Sequence, residues 1–191
     1  MTENARKELL RIARETAEAA VRGKAMPKFQ VRNAELLAKQ GAFVTIKNRG
    51  ELRGCIGRFT SDKPLAQTVA DMAVASATED SRFFYNRVTA SELAELDIEI
   101  SVLSPMQRVD DPLKLELGKH GIYIRRGSRT GCFLPQVATE TGWSKEEFLS
   151  RCCGGKAGLP PDAWRDPGTE VYLFTAEVFG EHESGTEEAK P

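Results

Sequence analysis

Ala42-Phe43-Val44-Thr45-Ile46-Lys47, Asn48-Arg49-Gly50-Glu51 and Leu52-Arg53-Gly54-Cys55-Ile56-Gly57 follow one another without interruption, and this stretch decides the fold class. The first six residues are apolar and β-branched and read as a strand. The next four carry turn chemistry. The last six, a cationic fork, a thiol and two glycines between aliphatic side chains, read as the return strand of a hairpin. The chain leaves that strand at Gly57 and Thr60-Ser61-Asp62, before a helix that Pro64 opens.

Working outward, residues from about Asn4 to Val21 repeat Leu9, Ile12, Ala13, Thr16, Ala20 and Val21 near helical spacing. Gly23 and Pro27 stop that helix, and Asn33 to Ala38 add a short helical turn before Gly41. Downstream, the helix from Pro64 to about Thr78 carries Leu65, Val69, Met72, Ala73 and Ala77 on one stripe. In the loop Glu79 to Tyr85, Asp80 and Arg82 read as a cap, with Phe83 and Phe84 anchored in the core. Thr89-Ala90-Ser91-Glu92 has the form of a capping box, which predicts a short helix. Leu96 to Val102 alternates apolar and polar residues, as a strand with one wet face does.

A second hairpin pairs Gly121 to Arg126 with Thr130 to Leu134 across Gly127-Ser128-Arg129. Pro135 opens a helix, and the capping box Ser144-Lys145-Glu146-Glu147 starts another that runs to Cys152. Gly154, Gly155 and Gly158 leave its end open, and Pro160-Pro161 forbid continuation. Val171 to Phe179 is the last strand. Hairpins and helices mix without βαβ alternation, so the expected class is α+β with a mainly antiparallel sheet and flanking helices. One domain over residues 1–180 is expected, with an acidic, disordered tail over residues 181–191.

The 191 residues, 40% of them hydrophobic, suffice for an ample core. A formal net charge of −1 lacks the basic field that nonspecific nucleic-acid binding needs. No apolar run is long enough for a membrane span. The polar N-terminal residues carry no signal-peptide core, which points to the cytoplasm. The four cysteines, Cys55, Cys132, Cys152 and Cys153, are expected as free thiols there. Their spacing supports neither a zinc ribbon nor a redox pair, and no cofactor is expected.

Cys55 is the first candidate for chemistry. On a regular strand Arg53 and Cys55 share a face, so the guanidinium can lower the thiol's pKa. Gly54 and Gly57 then let a ligand or another backbone approach. Equally, Cys55 can fill a core gap while Arg53 pairs with a carboxylate. Only His120 and His182 are available as imidazole bases. His120, at the mouth of the second hairpin, is a candidate base or a turn histidine bonded to the backbone. Glu99 and Ser101 share a strand face that lines a cleft or faces solvent. Gly154-Gly155-Lys156-Ala157-Gly158 is not a phosphate loop, because Ser150 stands where the first glycine is required and Ala157 where the hydroxyl is.

Leu52 to Gly57, with Asp80-Ser81-Arg82-Phe83, Glu99 to Pro105, Gly118-Lys119-His120-Gly121, Gly131 to Val137, Lys156 to Pro160 and Trp164, resembles the signature set of the AMME chromosomal-region (AMMECR-type) family. Its bacterial members are similar to the component called AmmeMemoRadiSam system protein A. The chain departs from the family pattern at Phe84-Tyr85, where proline usually follows Arg-Phe. The resemblance implies an α+β fold with a larger and a smaller lobe and the signature near the cleft between them. It implies no established catalysis. It also implies company, a Memo-like protein and a radical SAM enzyme, to which metal and iron–sulfur chemistry would belong.

Two functional expectations follow. One is an accessory or regulatory protein that binds a small anionic ligand or a partner through Arg53, Gly54, Gly57 and Glu99. The other is an enzyme with Cys55 as nucleophile or redox thiol and His120 or Glu99 as base.

Overall fold

A two-residue turn closes the first hairpin. Arg49 and Gly50 both have positive φ, 51° and 82°, and Arg49 is the one non-glycine residue of the described chain to do so. Two such residues give a turn whose twist matches that of the flanking strands. The computed structural model, which describes residues 1–182, thus carries β1 to Asn48 and starts β2 at Glu51.

The chain divides into two compact units, Met1–Val102 with the chain from Glu177 onward, and Leu103–Ala176. The first unit opens with α1 (Glu3–Val21), capped by Thr2, whose hydroxyl accepts the Ala5 N–H. A single turn, α2 (Ala34–Leu37), is capped in the same way by Asn33. Then come β1 (Ala42–Asn48), β2 (Glu51–Arg58), α3 (Leu65–Thr78) and β3 (Leu96–Leu103). β1 lies between β2 and β3 and pairs antiparallel with both, so β2 is an edge strand. Ala42, Val44 and Ile46 of β1 and Ile98 and Ile100 of β3 are buried together with Leu9, Ile12 and Ala13 of α1 and Leu65, Val69 and Ala73 of α3. The helical stripes read from the sequence are therefore the faces that cover one side of the sheet.

The second unit holds β4 (Gln107–Val109), β5 (His120–Arg126), β6 (Arg129–Phe133), α4 (Pro135–Thr141) and α5 (Lys145–Cys152). β7 (Glu170–Gly180) supplies its central strand, paired antiparallel with β4 and β5, and continues into the first unit from Glu177. Phe148, Leu149, Trp164 and Ile122 form this unit's own core. Both bonds of the Ser144–Glu147 capping box are made.

The fold is the expected α+β class, and the pairs β1–β2, β1–β3, β4–β7, β5–β6 and β5–β7 are antiparallel. At three places the structure adds to or alters the sequence reading. Thr89 to Glu92 starts only a 3-10 turn, Leu93–Glu95. β4 is a three-residue strand too short to give a periodic signal. After α5 the chain widens into a π-helical turn over Cys153–Ala157, which the glycines permit. Of the expected tail, residues 183–191 lie outside the described residues. Glu181 is held by Arg14 and by its own backbone N–H, which donates to the Ile98 carbonyl at 3.1 Å. No helix among the described residues is long and apolar enough to cross a membrane.

Candidate functional site

The pairing of β1 with β2 slips by one residue in the middle of the signature stretch. Thr45 stands opposite Cys55 and Ile46 opposite Gly54, but Lys47 stands opposite Leu52. Arg53 is the extra residue of a β-bulge. Directly opposed residues share a face, and Thr45 and Lys47 are two apart on β1. Leu52 and Cys55 therefore lie on their side of the sheet, with Arg53 and Gly54 between. The expectation that Arg53 and Cys55 share a face required a regular strand, and the bulge removes that condition.

Cys55 is half-buried, and its thiol takes a hydrogen bond from the Thr45 hydroxyl at 3.3 Å. On the same face of β1 and β3, Lys47 forms an ion pair with Glu99 at 3.2 Å, in register with the Thr45–Glu99 pairing. The backbone of Cys55 is gripped from the loop after α3. Asp80 accepts the Cys55 N–H at 2.9 Å, and Arg82 donates to the Cys55 carbonyl at 3.1 Å. Asp80 also takes the Arg82 guanidinium and backbone N–H at 2.6–3.1 Å. The guanidinium, helped by the two backbone N–H groups and against the effect of burial, holds this carboxyl down at about 2. Arg82 is raised in turn, chiefly by Asp80. Asp80 is the cap the sequence suggests. Phe84 is not a core anchor: it is 58% exposed, its neighbour Tyr85 98%, and only Phe83 is half-buried.

The two glycines answer to packing. A Cβ on Gly54 would stand 1.9 Å from the Ser76 carbonyl oxygen of α3. One on Gly57 would meet the Phe43 ring at 2.2 Å and the Ala42 carbonyl at 2.7 Å. The close approach that Gly54 allows is that of α3 itself. There the buried Ser76 hydroxyl bridges the hairpin, accepting the Ile56 N–H at 2.9 Å and donating to the Val44 carbonyl at 2.7 Å.

Arg53 points into an open concavity of about 510 Å³ lined by Asn48, Arg49, Glu51, Asn86, Glu92 and Glu95. Its side chain is only 11% exposed. One terminal nitrogen donates to Glu92 at 3.2 Å and to the Arg87 carbonyl at 3.3 Å. Its Nε lies 3.0 Å from Glu92 in an ion-pair contact, yet this N–H is not aligned with any acceptor. Glu92 also accepts from Asn48 at 3.3 Å and from the Thr89 N–H and hydroxyl at 2.8 and 2.9 Å. Burial pushes the Glu92 carboxyl up, but these four donors outweigh it and leave it below the usual range. The other buried atom here without a hydrogen bond is Asn48 Oδ1. The sequence singled out Arg53 and missed Glu92 as its partner. The signal was the Thr89–Glu92 capping box, which reads as a helix start and serves as a loop tie that also reaches across to β2.

The remaining candidates lie elsewhere. His120 belongs to the second unit, where its Nδ1 accepts the Glu116 N–H at 3.0 Å. His182 approaches Asp97 at 3.2 Å. In the second unit, burial pushes the thiols of Cys132, Cys152 and Cys153 up. Among the described residues, no three His, Cys, Asp or Glu side chains gather where they could hold a metal ion.

The comparisons with known proteins agree on one family. The AMMECR1 family model matches residues 10–179. A protein of Methanopyrus kandleri is 49% identical over 156 residues, spanning 78% of this chain and 74% of that one. A protein of Thermococcus gammatolerans is 41% identical over 184 residues, spanning 91% and 88%. The crystal structure of an uncharacterised protein from Pyrococcus horikoshii superposes with a TM-score of 0.80 at 40% identity, covering 91% of this chain and 90% of that one. With residues 10–179 matched by the family model and 91% of its length covered by a relative 41% identical to it, this chain belongs to the AMMECR1 family.

Proposed function

We propose that this is an accessory or regulatory binding protein whose ligand or partner group enters the concavity beside β2. The observation that carries the reading is the Arg53–Glu92 pair, mostly buried at the foot of that concavity with Asn48 Oδ1 and Arg53 Nε left without hydrogen bonds. Polar atoms so placed, beside a charge pair only 11% and 22% exposed, mark the foot of the concavity as suited to a polar group rather than an apolar one. Charge narrows the class further. Two arginines face three carboxylates around the concavity, and Arg49 and Arg53 are already paired with Glu95 and Glu92. A bare small anion is therefore a poorer match than an amide, a zwitterion or a peptide segment. Glu99, paired with Lys47 across the sheet face, does not line this concavity.

The cysteine-dependent alternative is weaker on geometry. The thiol of Cys55 has a hydroxyl neighbour, Thr45, and its flanking arginine is spent on Glu92. The proposal includes the Memo-like and radical SAM proteins as partners, and a cytoplasmic location, which suits four unbridged cysteines. Purified full-length chain should retain the Memo-like or the radical SAM protein on an affinity column, and Arg53→Met should abolish retention while Cys55→Ser preserves it. No retention of either protein by the native chain would sink the reading. Loss of retention with Cys55→Ser alone would move the function to the thiol.

A further inference from the structure

We propose that the first unit carries a second ligand site, away from the signature strand: a groove for a small amphiphile with an apolar body and an anionic head. The groove lies between α1, the irregular segment that follows it, and α3, and has a volume of about 460 Å³. That is within the range of small-molecule sites, and its composition is that of such sites, apolar walls with a few polar groups.

Met26, Phe29, Val31 and Leu37 form one wall, and Ala70 and Val74 of α3 the other. Met26 and Leu37 are 48% and 49% exposed, so apolar surface stands open to water on this face. The methionine, unbranched and polarizable, adapts to varied apolar shapes. A buried polar group stands in the same lining. Thr16 of α1 is 3% exposed, and its hydroxyl has no hydrogen-bond partner. A helical threonine ordinarily bonds back to the preceding turn, as Thr68 and Thr78 do here. An acceptor oxygen on a ligand would satisfy Thr16.

The charges at the rim set the sign of the head. Asp71 is already engaged, by Lys63 at 2.6 Å and by Gln67 at 2.8 Å. Lys28 is exposed and makes no ion pair among the described residues. The free charge is therefore positive, and it sits on a four-carbon stem able to follow a ligand's head group. An apolar body against Phe29 and Val74, a head oxygen on Thr16 and the negative charge on Lys28 together describe a medium-chain carboxylate or a compound of like shape.

Decanoate is the probe, titrated into full-length protein by calorimetry, with decyltrimethylammonium as its cationic counterpart. Decanoate should bind at least about tenfold more tightly than the cation. Lys28→Glu should weaken decanoate about tenfold and remove that preference. Leu37→Asp, at an exposed position that leaves folding intact, should abolish binding. Thr16→Val should weaken decanoate about fivefold, the worth of one hydrogen bond, without lowering the melting temperature of the empty protein. The proposal is overturned if decanoate does not bind at millimolar concentration, or if Lys28→Glu and Thr16→Val both leave its affinity unchanged. It is equally overturned if binding appears only after residues 183–191 are removed, because the groove would then be the seat of the chain's own end. A dimer that Leu37→Asp converts to monomer would also overturn it, by making the groove an interface between copies.

Discussion

The carboxylate of Asp80 accepts the backbone N–H of Cys55 at 2.9 Å, while Arg82 donates to the carbonyl of the same residue at 3.1 Å. These are the two outward-facing backbone groups that an added strand would use, since β2 is the edge of its sheet. A side-chain pair from one loop thus stands in for a neighbouring strand at the centre of the signature. The Asp80–Arg82 pair, which the sequence presents as a loop cap, is in geometry an edge cover as well.

The cover has a pH signature. Asp80 titrates at about 2 against an ordinary 3.8. A depressed carboxylate stabilises the fold fully above the ordinary value and loses that contribution as pH falls through the folded one, here between about 4 and 2. Arg82 is 54% exposed, so solvent screens part of the effect. Asp80→Asn is expected to cost about 1–2 kcal/mol at pH 7. Urea midpoints should differ between native protein and variant at pH 7 and converge toward pH 2. A gap that stays constant across that range would contradict the assignment.

The glycines of the signature should fail in different degrees. Gly54→Ala sets a methyl 1.9 Å from the Ser76 carbonyl oxygen, a backbone atom that cannot step aside. A loss of about 3 kcal/mol or more is expected, enough to leave little folded protein. Gly57→Ala meets the Phe43 ring first, and part of that contact can relax by rotation, so about 2 kcal/mol is expected. Gly155 has nothing within 4 Å and no positive φ. Gly155→Ala should be neutral or stabilise by about 0.5–1 kcal/mol. Thermal melts of the three variants suffice, and equal losses would refute the packing account.

What was legible in the sequence follows from which forces are local. The stripe Leu65, Val69, Met72 and Ala73 needs only helical periodicity, and those residues are buried as their spacing requires. The Ser144–Glu147 capping box closes within four residues and is made in full. The bulge at Arg53 is different in kind. Its existence depends on the register that β1 imposes on β2, and no residue of the stretch announces a slipped pairing. Glu92 was hidden for the same reason: its local meaning is a capping box, while its partner Arg53 stands 39 positions away in the chain. Phe84 departs from the core position its hydrophobicity suggests, because hydrophobicity alone sends aromatics inward. Here Phe84 packs edge-on against Tyr85 and takes the Arg87 guanidinium at 5.0 Å from its ring centre, outside the core.

Ser76→Ala tests the bridge across the hairpin. The hydroxyl is the sole side-chain group joining the Ile56 N–H to the Val44 carbonyl, and Ser76 is 1% exposed. Removing it takes one hydrogen bond from each of two backbone groups that stand opposite each other in the β1–β2 ladder, at a cost of about 1–3 kcal/mol. The amide of Ile56 should also exchange hydrogen faster than its neighbours in β2. Unchanged exchange at Ile56 would mean that the ladder closes without the serine.

Thiol chemistry separates Cys55 from the other cysteines. Cys152 and Cys153 are buried, and burial raises all three thiols of the second unit. The thiolate is the reacting species, so these three should label slowly with iodoacetamide at pH 8. Cys55, half-buried on the open face, should label first. Peptide mapping after brief exposure gives the order. First labelling at Cys152 would show that the second unit opens in solution, contrary to its closed core.

The last prediction concerns Arg53 and Glu92, and it is asymmetric. Glu92→Gln strips the charge that faces a guanidinium only 11% exposed, whose other acceptor is one carbonyl of Arg87. Arg53→Met leaves Glu92 with the Thr89 N–H, the Thr89 hydroxyl and Asn48 as donors. An uncompensated buried cation costs more than a carboxylate that keeps three hydrogen bonds. Glu92→Gln should therefore destabilise by about 3 kcal/mol and Arg53→Met by about 1–2 kcal/mol. The double variant should fall short of the sum by about 1–2 kcal/mol, because each single change already breaks the same pair. Additive losses would mean that the 3.0 Å contact carries no energy. The concavity would then be held open by the Thr89–Glu92 loop tie alone, and the bulge that turns Arg53 into it would need a ligand, not a partner side chain, to explain it.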